Sequence, residues 1–206
     1  MQVRPTTLDG VVDHVVDLVL ARPGDRPVRL VVDGHPSTRP EVLADALAEP
    51  LRTAGRPVAR VRARDFWRAA SLRLERGRRD PDALLEDRVD VDALNREVLT
   101  SVVRRGRWLP ALRDPRTDRS TRAAPVDAPP GTVVVLDGSL LLGLRLDVDL
   151  TVHLALQPAT ETRRTALDDA WTLVAYGRYR REVAPGRTAD VVVRFDHPDR
   201  PALVIR

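Results

Sequence analysis

Two short valine-rich runs constrain this chain more than any other feature: Val28-Arg29-Leu30-Val31-Val32-Asp33-Gly34 and Thr132-Val133-Val134-Val135-Leu136-Asp137-Gly138. Apolar, β-branched runs of this length suit strands buried on both faces, and such strands belong to parallel sheets covered by helices on either side. The segments around them carry helical spacing. Leu8, Val11, Val12, Val15, Val16 and Val19 share one face over 8–20, with Asp9, Asp13 and Asp17 opposite. Glu41 to Ala54 reads as a helix with Val42, Leu43, Ala46, Leu47 and Leu51 inward, and Val58 to Ala63 alternates as a strand. Residues 68–89 are charged and weakly periodic, a loop with short helix, and 91–103 returns to helical spacing. Arg104 to Pro130 reads as an irregular connection or hairpin. Leu150 to Leu156 is a strand, a helix follows from about 159 to 181, and 190–194 and 202–205 are late short strands. Strands alternating with helices predict an α/β fold of three layers, α/β/α, around a mostly parallel sheet.

Composition narrows the functional classes. The 206 residues suffice for one sizeable core and show no shift that would mark a second domain. Without cysteine there is no disulfide, thiolate metal site or cysteine nucleophile. All 34 basic residues are arginine, so no lysine serves as phosphate clamp, Schiff base or general base. The net charge of +4 and pI near 10.6 suggest nucleic acid at first sight, but 30 acidic residues are interleaved with the arginines and aromatic residues are scarce. A nucleic-acid partner is therefore not expected. No stretch approaches the roughly 20 apolar residues of a membrane span, and no leader is visible, so a soluble, cytoplasmic protein is expected. The apolar content is compatible with a homodimer.

In sheets of this class ligands bind at the C-terminal ends of the strands. Asp33, Asp65 and Asp137 all fall there, Asp65 followed by Phe66 and Trp67. Between Gly34 and the helix at Glu41 stands His35-Pro36-Ser37-Thr38-Arg39-Pro40, where a nucleotide-binding protein of this layout carries a glycine-rich turn ending in Gly-Lys-Ser/Thr. His14, His35, His153 and His197 are widely separated and show no metal-ligand spacing. Asp137-Gly138-Ser139 lacks the flanking glycine of a nucleophile elbow.

These residues resemble the uridine kinase-like proteins of the P-loop NTPase fold, in the small form common in actinobacteria. Val31-Val32-Asp33-Gly34 is similar to the strand before the phosphate loop, and Leu43-Ala44-Asp45-Ala46-Leu47-Ala48 to the helix after it. Asp65-Phe66, Arg76-Gly77-Arg78 with Asp80-Pro81, and Asp90-Val91-Asp92-Ala93-Leu94 follow in family order. Val134 to Gly138 with Leu140-Leu141 resembles the Walker B strand, and Tyr179, Glu182-Val183, Pro185, Ala189 to Val193 and Asp199-Arg200-Pro201 match the closing segment. The resemblance implies a nucleoside kinase-like domain with a lid over about 159–187. It implies Asp65 as acceptor of the 5′-hydroxyl proton, Asp137 near Mg²⁺, and Arg163 or Arg164 as lid residues facing phosphates. Phe66, Trp67, Arg78 and Tyr179 are the corresponding substrate-side candidates.

The phosphate loop departs from this pattern. Its glycine positions hold Ser37 and Arg39, its lysine position Pro40, and its metal-binding hydroxyl position Glu41. Proline brings neither ammonium nor N–H, and Glu41 puts negative charge where phosphates would sit. Thr38 and Glu41 have the spacing of a capping box, which predicts a closed helix start, while Ser37, Thr38 and Arg39 form the alternative, an arginine-based anion site. The reading favoured by these residues is a protein that binds a nucleoside, nucleotide or similar small molecule without ordinary ATP-dependent phosphoryl transfer. An active kinase gripping Mg²⁺ and ATP through Arg39, Arg163 and Arg164 is the alternative, and a repurposed enzyme with Asp65 as general base is a third. Mg²⁺ and ATP are cofactors only in the second of these.

Overall fold

Hydrophobic burial on both faces of a central sheet organises the chain, as the valine runs require. The computed structural model describes residues 2–205. In chain order, β1 (Gln2–Pro5) precedes α1 (Leu8–Leu20), and β2 (Val28–Gly34) leads through a single 3₁₀ turn into α2 (Pro40–Ala46) and α3 (Ala48–Thr53). Then come β3 (Val58–Arg62), α4 (Ala70–Arg73), α5 (Pro81–Glu86), α6 (Val91–Leu94) and α7 (Thr100–Arg105). Four two-residue strands follow, β4 (Arg107–Trp108), β5 (Arg113–Asp114), β6 (Arg119–Ser120) and β7 (Val126–Asp127), and then β8 (Val133–Gly138) and β9 (Leu150–Ala155). The chain closes with α8 (Pro158–Arg164), α9 (Thr172–Glu182), α10 (Pro185–Thr188), β10 (Val191–Arg194) and β11 (Ala202–Ile205).

The main sheet has seven strands in the order β1-β11-β10-β9-β2-β8-β3. β10, β9, β2, β8 and β3 are parallel neighbours, and β11 and β1 extend one edge in antiparallel fashion. β2 and β8, the two valine runs, lie side by side at the centre, with Val32 opposite Asp137. On one face Leu30, Val32, Val133 and Val135 pack against Val11, Val15 and Val19 of α1 and Leu43 and Leu51 of α2 and α3. On the other, Val31, Val134 and Leu136 pack against Leu94, Val98, Leu99, Ala175 and Tyr179. The α/β/α layering expected from the sequence is therefore the one observed.

Helix continuity differs from expectation in three places. The helix read over 41–54 is interrupted at Leu47, because Pro50 brings no N–H for the carbonyl of Ala46 and its ring crowds that carbonyl. The helix read over 159–181 breaks after Arg164, where Thr165 and Ala166 are extended (ψ 126° and 150°). Thr165 folds its hydroxyl onto the carbonyl of Glu161 and faces His35, so the break is decided by packing against the loop after β2. Between α6 and α7 the chain forms a π-turn at Asn95–Leu99, where the Asn95 amide bonds the carbonyl of Arg145 and the N–H of Asp147. The 104–130 segment forms two ribbons, β4 with β7 and β5 with β6. Among the described residues no helix is long and apolar enough to cross a membrane.

Candidate functional site

The turn after β2 is shaped by what Gly34 allows. A Cβ there would lie 2.5 Å from Thr38 Oγ1 and 3.0 Å from Leu154 Cβ, so only glycine lets Thr38 tuck beneath the strand end. Pro36–Thr38 then form a 3₁₀ turn, and Arg39 takes a left-handed conformation (φ 54°, ψ 61°) before α2 starts at Pro40. The N–H groups of this turn are used within it. Ser37 N–H donates to His35 Nδ1 at 3.2 Å, Thr38 N–H to the His35 carbonyl at 2.8 Å, and Arg39 N–H to the Pro36 carbonyl at 3.0 Å. The Thr38–Glu41 capping box expected from the sequence does not form. Thr38 is buried, its hydroxyl donates to the His35 carbonyl at 2.7 Å, and Arg39 stands at the N-cap with no side chain capping the helix.

His35 fills the space above the turn. Its ring packs on Tyr176, with centroids 4.4 Å apart, and its Nε2 lies 3.3 Å from Thr165 Oγ1. Burial first, then the charges of Arg180 and Arg164, lower its pKa to about 4, so the ring is neutral at pH 7. Since Ser37 N–H points at Nδ1, the proton belongs on Nε2.

A buried network lies alongside. Asp33 is fully buried and accepts from Leu141 N–H at 2.9 Å and Tyr179 O–H at 2.9 Å, with His153 Nδ1 at 2.7 Å. Asp33 and His153 are register partners on β2 and β9, which sets their side chains next to each other. The Tyr179 hydroxyl also accepts Leu142 N–H at 2.9 Å, so both of its hydrogen-bonding capacities are spent. Its pKa is raised, by burial first and then by the charge of Asp33. Glu161 of α8 is buried in an ion pair with Arg180, and burial pushes its carboxyl upward.

Beside the turn opens a cavity of about 370 Å³. Pro40 and Glu41 of α2 border it on one side, Ala63, Arg64 and Trp67 after β3 on another, and Leu84, Leu85 and Arg88 around α5 on a third. Asp137, Gly138 and Ser139 form its floor at the end of β8, and Tyr176 reaches in from α9. Asp137 is paired with Arg60 at 2.7 Å, and Arg60 also meets Asp45 of α2 at 2.8 Å. Burial raises the pKa of Asp137, and the bond to Arg60 opposes that rise. Trp67 carries two guanidinium groups on its ring, Arg88 at 4.9 Å and Arg73 at 5.4 Å.

No protein-family model matches this chain, and no curated protein matches it. Solved structures do. A possible uridine kinase from Bacillus stearothermophilus is similar at a TM-score of 0.72 and 20% identity, over 90% of this chain and 98% of that one. A candidate fructose transport system kinase from Silicibacter sp. TM1040 gives 0.58 and 21%, over 82% and 95%. The YGR205w protein gives 0.61 and 9%, over 98% and 100%. The chain shares the fold of these three proteins. Identities this low establish the fold and leave the chemistry to the site.

Within this fold, the residues singled out from the sequence are dispersed. Asp65 is half-buried in the 3₁₀ turn after β3, its pKa raised by burial foremost and by Asp137 and Asp114 against the pull of Arg64 and Arg62, and it is not part of the cavity wall. Phe66 is fully buried in the core and Arg78 is exposed on the α4–α5 loop. Arg163 is exposed, and Arg164 donates to the carbonyls of Phe195 and Asp196 at 3.3 and 2.6 Å. Arg39 faces a different cavity, of about 300 Å³, lined also by Leu8, Val42 and Phe195. Of the sequence candidates, Trp67 and Asp137 are brought together at one cavity. Arg64, Arg88, Ser139 and Tyr176 complete it. The sequence offered no signal for Arg64 or Arg88 among 34 arginines.

The residues present do not fit Mg²⁺ and ATP in the manner of a phosphate loop. Pro40 and Glu41 supply no cation or hydroxyl, three N–H groups of the turn are engaged within it, and Asp137 is held by Arg60. Among the described residues no group of three or more metal-binding side chains is assembled.

Proposed function

We propose that this chain is a uridine kinase-like protein that binds a nucleoside or similar small molecule in the cavity beside Trp67 and does not carry out ordinary ATP-dependent phosphoryl transfer. The observation that carries the reading is the inward hydrogen bonding of the turn after β2. A phosphate loop works by presenting free N–H groups and a cation to the phosphates. Here Ser37, Thr38 and Arg39 donate to His35 and Pro36, and the cationic position is Pro40. The cavity supports the binding half of the reading: about 370 Å³, apolar leucines and aromatic rings with a few polar groups, at the C-terminal ends of parallel strands.

Calorimetric titration of the protein with ATP and Mg²⁺ tests the first half. No heat of binding at millimolar ATP is the expected result. Micromolar binding that weakens in both Asp137→Ala and Arg39→Ala would overturn the reading in favour of an active kinase with arginine in place of lysine. The second half is tested by titrating uridine, with binding expected in the wild type and lost in Trp67→Ala.

A further inference from the structure

The two carboxylates that line the cavity are each paired with an arginine outside it, whereas the two arginines that line it have no ion pair within 4.0 Å among the described residues. Asp137 is paired with Arg60 at 2.7 Å and Glu41 with Arg39 at 3.6 Å, and neither of these arginines belongs to the cavity wall. Arg64 and Arg88 do, and among the described residues neither guanidinium has an ion pair within 4.0 Å or a hydrogen bond to a protein acceptor. Of the charged side chains lining the cavity, the two arginines are thus the ones left without an ion-pair partner.

Arg88 is also held in place. Val89 bridges antiparallel to Trp67, Arg68 N–H donates to the Arg88 carbonyl at 2.9 Å, and Asp90 N–H donates to the Phe66 carbonyl at 2.8 Å. These bonds fix the two short extended segments that carry the indole and the guanidinium. The cation–π contact at 4.9 Å then orients Arg88 without consuming any of its N–H donors. Arg73, the other cation on the ring, differs in this respect: it meets Asp118 at 3.6 Å and donates to the Arg68 carbonyl at 3.1 Å. Burial beside Arg73 disfavours the charge on Arg88, and an incoming anion would relieve that cost.

We infer that the cavity takes a small organic anion, a molecule with a flat ring as its body and one carboxylate or phosphate monoester bound by Arg88, with Arg64 adding positive charge to the same cavity. This inference rests on the cavity being the ligand site. A guanidinium whose donors are free and which is seated against an indole matches the paired oxygens of a carboxylate or phosphate. The apolar wall of Leu84, Leu85 and Leu140, with Tyr176, accommodates the body of the molecule.

Matched pairs of probes test it: uridine against uridine 5′-monophosphate for the phosphate source, and uracil against orotate for the carboxylate source. In calorimetry on the full-length protein, the acid of at least one pair is expected to bind about tenfold or more tightly than its neutral partner. Arg88→Gln is expected to abolish that ratio and Arg88→Lys to keep part of it. Arg64→Gln, at an exposed position, is expected to reduce it severalfold. Equal or tighter binding of the neutral partner in both pairs would overturn the inference while leaving the proposed nucleoside site standing. An unchanged ratio in Arg88→Gln and Arg64→Gln would overturn it, as would no binding of any of the four probes at about 5 mM. Micromolar binding of ATP with Mg²⁺ would instead remove the proposed function, and the uracil–orotate comparison would still decide this one.

Discussion

The buried imidazole of His35 records how the turn after β2 is closed. His35 is 8% exposed and its pKa stands at about 4, against an ordinary value of 6.5, because burial and two nearby arginines disfavour its charge. The unfolded chain therefore takes up this proton before the folded one does. The stabilising contribution is complete above pH 6.5 and is lost as pH falls towards 4. Between pH 7 and pH 5 the loss from this one group amounts to about 2 kcal/mol. Asp137 and Glu161, whose pKa values burial raises, act in the opposite sense as they protonate. Urea denaturation of wild type and His35→Gln at both pH values isolates the histidine: the stability difference between the two proteins is expected to shift by about 2 kcal/mol in favour of the variant at pH 5. A constant difference would place His35 in a wetter setting than its packing on Tyr176 implies.

At the level of elements, the entry into α2 carries a backbone conformation that its residue does not favour. Arg39 has φ 54°, a left-handed position that costs a residue with a Cβ about 1–2 kcal/mol and glycine almost nothing. The cost persists because Thr38 is pinned beneath Gly34 and α2 must start immediately afterwards. The ion pair of Arg39 with Glu41, exposed and 3.6 Å long, returns little. Arg39→Gly is thus expected to raise stability by about 0.5 kcal/mol after the added freedom of the unfolded chain is subtracted, read as a higher urea midpoint at unchanged slope. A loss of stability would mean that the arginine side chain contributes more than its visible contacts. The same element explains why sequence reasoning misplaced the cap. Thr38 and Glu41 have the right spacing for a capping box, but spacing does not reveal that the threonine is claimed by the carbonyl of His35.

In the whole molecule, the sheet separates two apolar cores that share no side chains. Leu51 of α3 lies wholly in one and Leu94 of α6 wholly in the other, both fully buried. Each truncation to alanine is expected to cost about 2–5 kcal/mol through lost burial and the space left behind. Because the two sites lie on opposite faces of the sheet without common partners, the double variant should equal the sum to within about 0.5 kcal/mol. A clear excess in urea unfolding would show that the sheet transmits strain between its faces.

Local pattern by itself determined most of the scaffold. The β-branched runs at 28–34 and 132–138, the valine face of 8–20 and the alternation of strands with helices dictate an α/β/α stack, because burial on two faces leaves such segments few other arrangements. That residues 35–41 hold neither lysine nor glycine was equally plain, since residue types are readable whatever the fold. Tertiary structure alone decided the rest. β1 is visible only as the antiparallel partner of β11, for its residues 2–5 are mostly exposed and carry no apolar alternation. The hydrogen bond from the hydroxyl of Tyr179, a candidate ligand residue in the sequence, to Asp33 is set by packing alone. Arg88 meets Trp67 only because an antiparallel bridge between Trp67 and Val89 sets the two segments side by side. Pairings of this kind join residues distant in sequence, and periodicity, which reports only which face of an element is buried, does not contain them.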